Sequence, residues 1–217
     1  MNTLKKTIVS IAFMAISALS GSAQNNTDFN TFVELFPQRS YPLTLSYDDD
    51  SVWDVHRPNI PDTLYEKYVF QNKHFIIPEK EKICFDGFSA DGKFSTKAYS
   101  LLLIGKESYA SGCGEEVWLV TYTPQGEIID VLFVFGRSTN YEGNEERIPF
   151  RVESIINADS IVVKREETID GLIKIDDRTY KSIFKRFDKI YHISEDGKFI
   201  LTREEVDKYE DYWKRQP

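Results

Sequence analysis

Between Lys82 and Ile193 the chain is a succession of strand-length apolar runs separated by short turns, and this alternation most restricts what it can fold into. The runs are 82–88, 98–106, 116–123, 127–135, 150–156, 160–167 and 187–193. Between them stand "SADGK" (89–93), "PQG" (124–126), "NAD" (157–159) and "EDGK" (195–198), rich in the residues that reverse a backbone. A short turn leaves no room for a crossover, so consecutive strands must be antiparallel neighbours. The expectation is a curved antiparallel meander of about seven strands. "VWLVTY" and "IIDVLFVF" are apolar at nearly every position, which predicts that both faces of that hairpin are covered. "SIVVKREE" becomes charged towards its end, as a strand does on reaching solvent.

Short helices are expected before the meander and one helix after it. In "DFNTFVELFP", Phe29, Phe32, Val33 and Phe36 share one helical face, with Asp28 at the start and Pro37 at the end. Leu43, Leu45 and Tyr47 then alternate as a strand does. Asp62 is placed to cap a second helix carrying Leu64, Tyr65, Tyr68 and Val69 on one face. At the C-terminus, Thr202 followed by Glu205 forms a capping-box pattern, and Val206, Tyr209 and Trp213 would dock that helix on the sheet. "RTYKSIFKRF" (178–187) fits helix and strand alike. The whole reads as an α+β protein with a single β-rich domain over 24–217.

The first 23 residues have another purpose. Lys5 and Lys6 precede an apolar run from Thr7 to Leu19, and Gly21-Ser22-Ala23 supplies small residues for cleavage before Gln24. That is a signal peptide, too short to span a bilayer comfortably. The expectation is an exported protein, periplasmic or secreted, soluble after cleavage and without a transmembrane segment. Cleavage would remove two lysines and move the formal charge from −8 to −10. An excess of acid disfavours nucleic acid, where Lys and Arg neutralise phosphates, and leaves a protein, peptide or glycan partner open.

Cys84 and Cys113 are the two cysteines. Neither has a histidine among its near neighbours in sequence, and Glu115 and Glu116 would raise the thiol pKa of Cys113. In an oxidising compartment the even count points to a Cys84–Cys113 disulfide, worth about 3–4 kcal/mol on a chain-entropy argument. Asp48, Asp49, Asp50 and Asp54 in "YDDDSVWD" suggest a calcium loop, but the sixth position from Asp48 is Trp53 and the twelfth Asn59, against the Gly and Glu such a loop needs. His56, His74 and His192 show no zinc spacing with the cysteines. Neither a metal nor a cofactor is expected. Glu142, Glu145 and Glu146 make a second acidic loop that could supply paired carboxylates to a hydrolase.

"DFNTFVELFPQRSYPLTL", "VWLVTYTPQGEIIDVL", "VESIINADSIVVKRE" and "KIYHISEDGKFIL" together resemble small exported proteins of unknown function from Bacteroidota. In these, a Phe-rich opening helix precedes hairpins of hydrophobic strand, polar-Gly turn and I-I-D. The resemblance implies a β-rich fold and an envelope location, and no activity. The function it leaves is an exported, non-enzymatic binding module, in one version a periplasmic inhibitor or immunity-type protein using a sheet face or the two acidic loops. The alternative is a periplasmic hydrolase using carboxylates from 138–147 or 48–54.

Overall fold

A computed structural model of the chain describes residues 28–46, 57–70, 75, 85–108, 116–142, 146–176 and 179–214. They form two short helices, α1 (28–34) and α2 (Asp62–Tyr68), and nine strands. The strands are β1 (Leu43–Leu45), β2 (Phe85–Phe94), β3 (Ser100–Ser108), β4 (Glu116–Tyr122), β5 (Ile128–Glu142), β6 (Glu146–Ile156), β7 (Ile161–Lys174), β8 (Thr179–Ile193) and β9 (Phe199–Lys214). Strands β2 to β9 follow one another in spatial order, each antiparallel to the next, and β1 pairs with β6. The expected meander is present, and the protein is predominantly β.

β5 serves two ladders. Its first part pairs with β4 and its second with β6, and Gly136 is opposite both Glu116 and Val152. β1 takes the edge of β6 beyond the β5 ladder, with Leu43 opposite Ile156 and Leu45 opposite Ser154.

Alternation along β3 and β4 divides the core in two. Leu102, Ile104, Trp118, Val120 and Tyr122 face Phe29, Phe32, Phe36 and Tyr68 from the helical segments. Leu101, Leu103, Val117 and Leu119 face Leu45, Ile156, Val162 and Ile193. Strands lie roughly 4.8 Å apart, so in a flat sheet β4 and β7 would stand about 14 Å apart. Yet Phe199 N of β9 donates to Asp130 Oδ2 of β5, four strands away in the order, so the sheet coils over itself. The hairpin β4–β5 is thus covered on both faces, as its sequence predicts.

The outer edge of β2 is sealed by chain from the N-terminal region. Arg39 N donates to Lys93 O and Lys93 N to Pro37 O, while Ile60 N donates to Phe88 O and Ala90 N to Pro58 O. This corrects the reading of "SADGK" as a turn, since residues 89–93 lie inside β2 with a register shift between Ala90 and Gly92. The polar residues that suggested a turn are buried instead. Ser89 Oγ donates to Asp91 Oδ1 at 2.6 Å, Arg57 stands 3.9 Å from Asp91 Oδ2, and Arg39 Nε donates to the Asp91 carbonyl. The turns at 123–127 and 194–198 do form, with Gly126 and Gly197 at positive φ. Pro61, with no side-chain cap, precedes α2, so Asp62 is its first residue.

The largest correction is at the C-terminus: the expected helix is strand β9. Thr202, read as a helix cap, donates its Oγ1 to Ile190 O at 3.0 Å and sits where the β8–β9 register shifts between Ile190 and Tyr191. Val206 is 53% exposed instead of docked, and Tyr209 stacks on Phe184 of β8 at 5.0 Å and 9°. A helix with three large apolar residues over three turns gains little from packing. The same residues in β9 gain a full ladder against β8, and tertiary pairing overrides the local preference. Residues 179–187, ambiguous in sequence, belong to β8.

Candidate functional site

Of the residues singled out in sequence, Cys84, Cys113, Asp48, Asp49, Asp50, Asp54 and Glu145 lie outside the described residues. The backbone register sets Glu142 opposite Glu146 at the end of the β5–β6 ladder. Among the described residues no cluster of histidine, cysteine and acid could hold a metal ion.

The most distinctive surface is the three-strand ribbon β7–β8–β9. Its root is fixed to the core at the β8–β9 turn: Thr121 Oγ1 donates to Gly197 O at 2.7 Å, and Phe199 N donates to Asp130 Oδ2 at 2.9 Å. From there the strands run outward, and burial falls along the registers. Ile156, Val162, Tyr191 and Leu201 form one cross-strand row, from fully buried Ile156 and Val162 to Leu201 at 45% exposure. The next row is Ser154, Lys164, Lys189 and Glu204, then Val152, Glu166, Phe187 and Val206. Thr168, Lys185 and Lys208 complete this inner face.

Lys164 is buried, an unusual place for an ammonium. Its Nζ lies 2.6 Å from Glu166 Oε1, and Lys189 Nζ lies 2.8 Å from Glu166 Oε2. The Phe133 and Tyr191 rings stand 5.8 and 5.9 Å from Lys164 Nζ, within cation–π reach. Burial lowers the Lys164 pKa against the pull of Glu166. Burial also pushes the Glu166 carboxyl up, but the two lysines together hold it below its ordinary value. Lys185 and Lys189 lie over the Phe187 ring at 4.7 and 5.1 Å. The result is an aromatic and aliphatic strip bordered by lysines, with the carboxylate engaged between two of them.

The opposite face is a charge lattice. Arg151, Glu167, Arg186 and Asp207 form one row of alternating sign, beside Glu153, Arg165, Asp188 and Glu205. Arg165 Nε to Asp188 Oδ1 is 2.8 Å, and Arg186 Nη2 to Asp207 Oδ2 is 3.2 Å. Each such exposed pair contributes little singly. Together they give polar character to a face that packs on no second layer among the described residues.

Sequence reasoning missed the inner face. Its signal was the alternation Val162, Lys164, Glu166, which puts charge on the face that carries the core. The acidic loops were more conspicuous, but of their acidic residues only Glu142 and Glu146 are among the described ones, opposite one another in the β5–β6 register.

No family model, no curated protein and no solved structure matches the chain. No helix among the described residues is long and apolar enough to cross a membrane.

Proposed function

We propose that the protein is an exported, non-enzymatic binding module of the bacterial envelope that engages a protein partner through the inner face of its β7–β9 ribbon. One observation carries the reading: Val206 and Leu201 are 53% and 45% exposed on this face, one on either side of the Lys189–Glu204 row, with Lys185 and Lys208 beyond Val206. Exposed apolar residues gathered on one surface and rimmed by charge are what interaction sites offer. The chain as a whole is acidic, at −8, whereas this strip is lysine-rich. The partner patch that suits it is apolar with acidic groups. The leader at 1–23 supports export, and the compartment it implies supports a Cys84–Cys113 bridge. An inhibitor or immunity-type protein is the concrete form of this reading.

The test is capture from cell-envelope extract at physiological salt, comparing wild type with Val206→Glu. A defined partner retained by wild type and lost by the variant supports the reading. No partner, or one held equally by both, removes it.

A second reading, a hydrolase, is favoured by the register that sets Glu142 opposite Glu146. Hydrolysis of glycans by wild type, abolished by Glu142→Gln, would establish it.

A further inference from the structure

The two ends of the sheet are treated differently. β2 is closed by the 37–39 and 58–60 segments, whereas no strand among the described residues pairs with the outer edge of β9. β9 is 16 residues long, and its described side chains from Ile200 to Tyr212 are exposed except Tyr209, which is half-buried. A long open edge is a template for another strand. Charged residues restrict what can pair there, and Arg203, Glu204, Glu205, Asp207, Lys208, Glu210 and Asp211 provide them.

We propose that the occupant of this edge is a second copy of the chain, its β9 running antiparallel with Tyr209 on the two-fold axis. A two-fold pair of identical antiparallel strands must be centred on a residue, because only then do opposite side chains share a face. The regular edge begins at Arg203, after the shift at Thr202, and runs to Lys214, so registers centred near its middle pair the greatest length. Centred on Tyr209, Lys208 of each copy, which has Asp170 at 2.7 Å in its own chain, faces Glu210 of the other, which has Lys181 at 2.6 Å in its own. Val206 and Tyr212, 53% and 59% exposed, also become cross-strand neighbours, twice over. Like charges meet only where Asp207 faces Asp211, and Asp207 already has Arg186 beside it at 3.2 Å. A centre at Asp207 sets Glu204 against Glu210 and Asp207 against itself. One at Lys208 sets Glu205 against Asp211 and Lys208 against itself. One at Val206 sets Glu205 against Asp207, leaves Glu210 without its lysine, and meets the bulge after a few residues. Cross-strand pairs act at this distance, and the interface is isologous, as a closed dimer requires. Pairing would join the inner faces of two ribbons into one surface.

The test is sedimentation of the purified protein over micromolar concentrations, with circular dichroism confirming that each variant keeps its sheet. Wild type should show a concentration-dependent dimer. Lys208→Glu, which sets glutamate against glutamate twice, should weaken association about tenfold or more. The double variant K208E/E210K should restore it, because the charges exchange places in this register alone. A wild type that stays monomeric throughout overturns the proposal, as does a Lys208→Glu dimer of unchanged strength. Failure of the double variant to recover overturns the register. Sedimentation is read on the purified protein with no partner present, so a monomeric wild type overturns the dimer and leaves envelope capture standing; Val206 and Lys208 belong to both surfaces.

Discussion

The buried hydroxyl of Thr121 donates to the carbonyl oxygen of Gly197 across 2.7 Å, joining residues 76 positions apart. Thr121 Oγ1 itself accepts from Asp130 N at 3.1 Å. One side chain thus holds the β4–β5 hairpin to the root of the β8–β9 hairpin. Thr121→Val keeps the shape and leaves a buried carbonyl and amide without this partner, a loss of about 1–3 kcal/mol. Chemical denaturation should show it, and amide exchange at 193–199 should quicken more than in β3.

Gly126 has φ +87°, and a Cβ there would come within 2.7 Å of the Phe29 ring and 2.9 Å of Tyr68. Gly126→Ala therefore meets backbone strain and a clash with α1 and α2 together. A loss of at least about 1–3 kcal/mol is expected from the strain alone. Thermal unfolding would read it, and a neutral result would mean that the helices do not pack against this turn.

Glu166 links a pH dependence to the inner face. Burial raises its pKa, yet Lys164 and Lys189 hold it lower than its ordinary 4.5. A carboxylate depressed in the folded state contributes stability that is complete above its unfolded pKa and is lost as pH falls through the folded one. Wild type should therefore lose stability as pH drops below about 4.5, and Glu166→Gln should flatten that part of the profile. At neutral pH the variant should be about 1.5–3 kcal/mol less stable, having exchanged charge-assisted hydrogen bonds for neutral ones beside a buried ammonium. Urea midpoints across pH 3–7 would measure both effects.

The cysteines allow a direct chemical check. Thiol titration of the unreduced, denatured protein should find no reactive thiol, and two thiols would refute the bridge.

The fold was legible wherever local pattern and tertiary partner agree. Leu101 to Ile104 and Val117 to Val120 are apolar at successive positions because helices cover one face and the coiled sheet the other. At Thr202 the two disagree. A hydroxyl three residues before a glutamate satisfies a helix terminus and a β-bulge equally, and what decides is the ladder from Thr179 to Ile193, which a local window does not contain. "SADGK" misled for a related reason: Ser89 and Asp91 have the composition of a turn, but their partners Arg39 and Arg57 come from elsewhere in the chain. The Lys164–Glu166–Lys189 cluster was least legible, since it depends on the register between β7 and β8.

The sharing of Gly136 between two ladders has a mechanical consequence. Strain on the outer ribbon, such as a bound partner would apply, passes from strand to strand into β5 and along a single unbroken backbone to β4. Among the described residues the ribbon joins the core through the β6–β7 ladder and the bonds at the β8–β9 turn. Pulling on it shears hydrogen-bonded ladders instead of bending a joint, and the load reaches β4 and β5 by two routes, through Gly136 and through the Thr121 and Asp130 bonds at the β8–β9 turn.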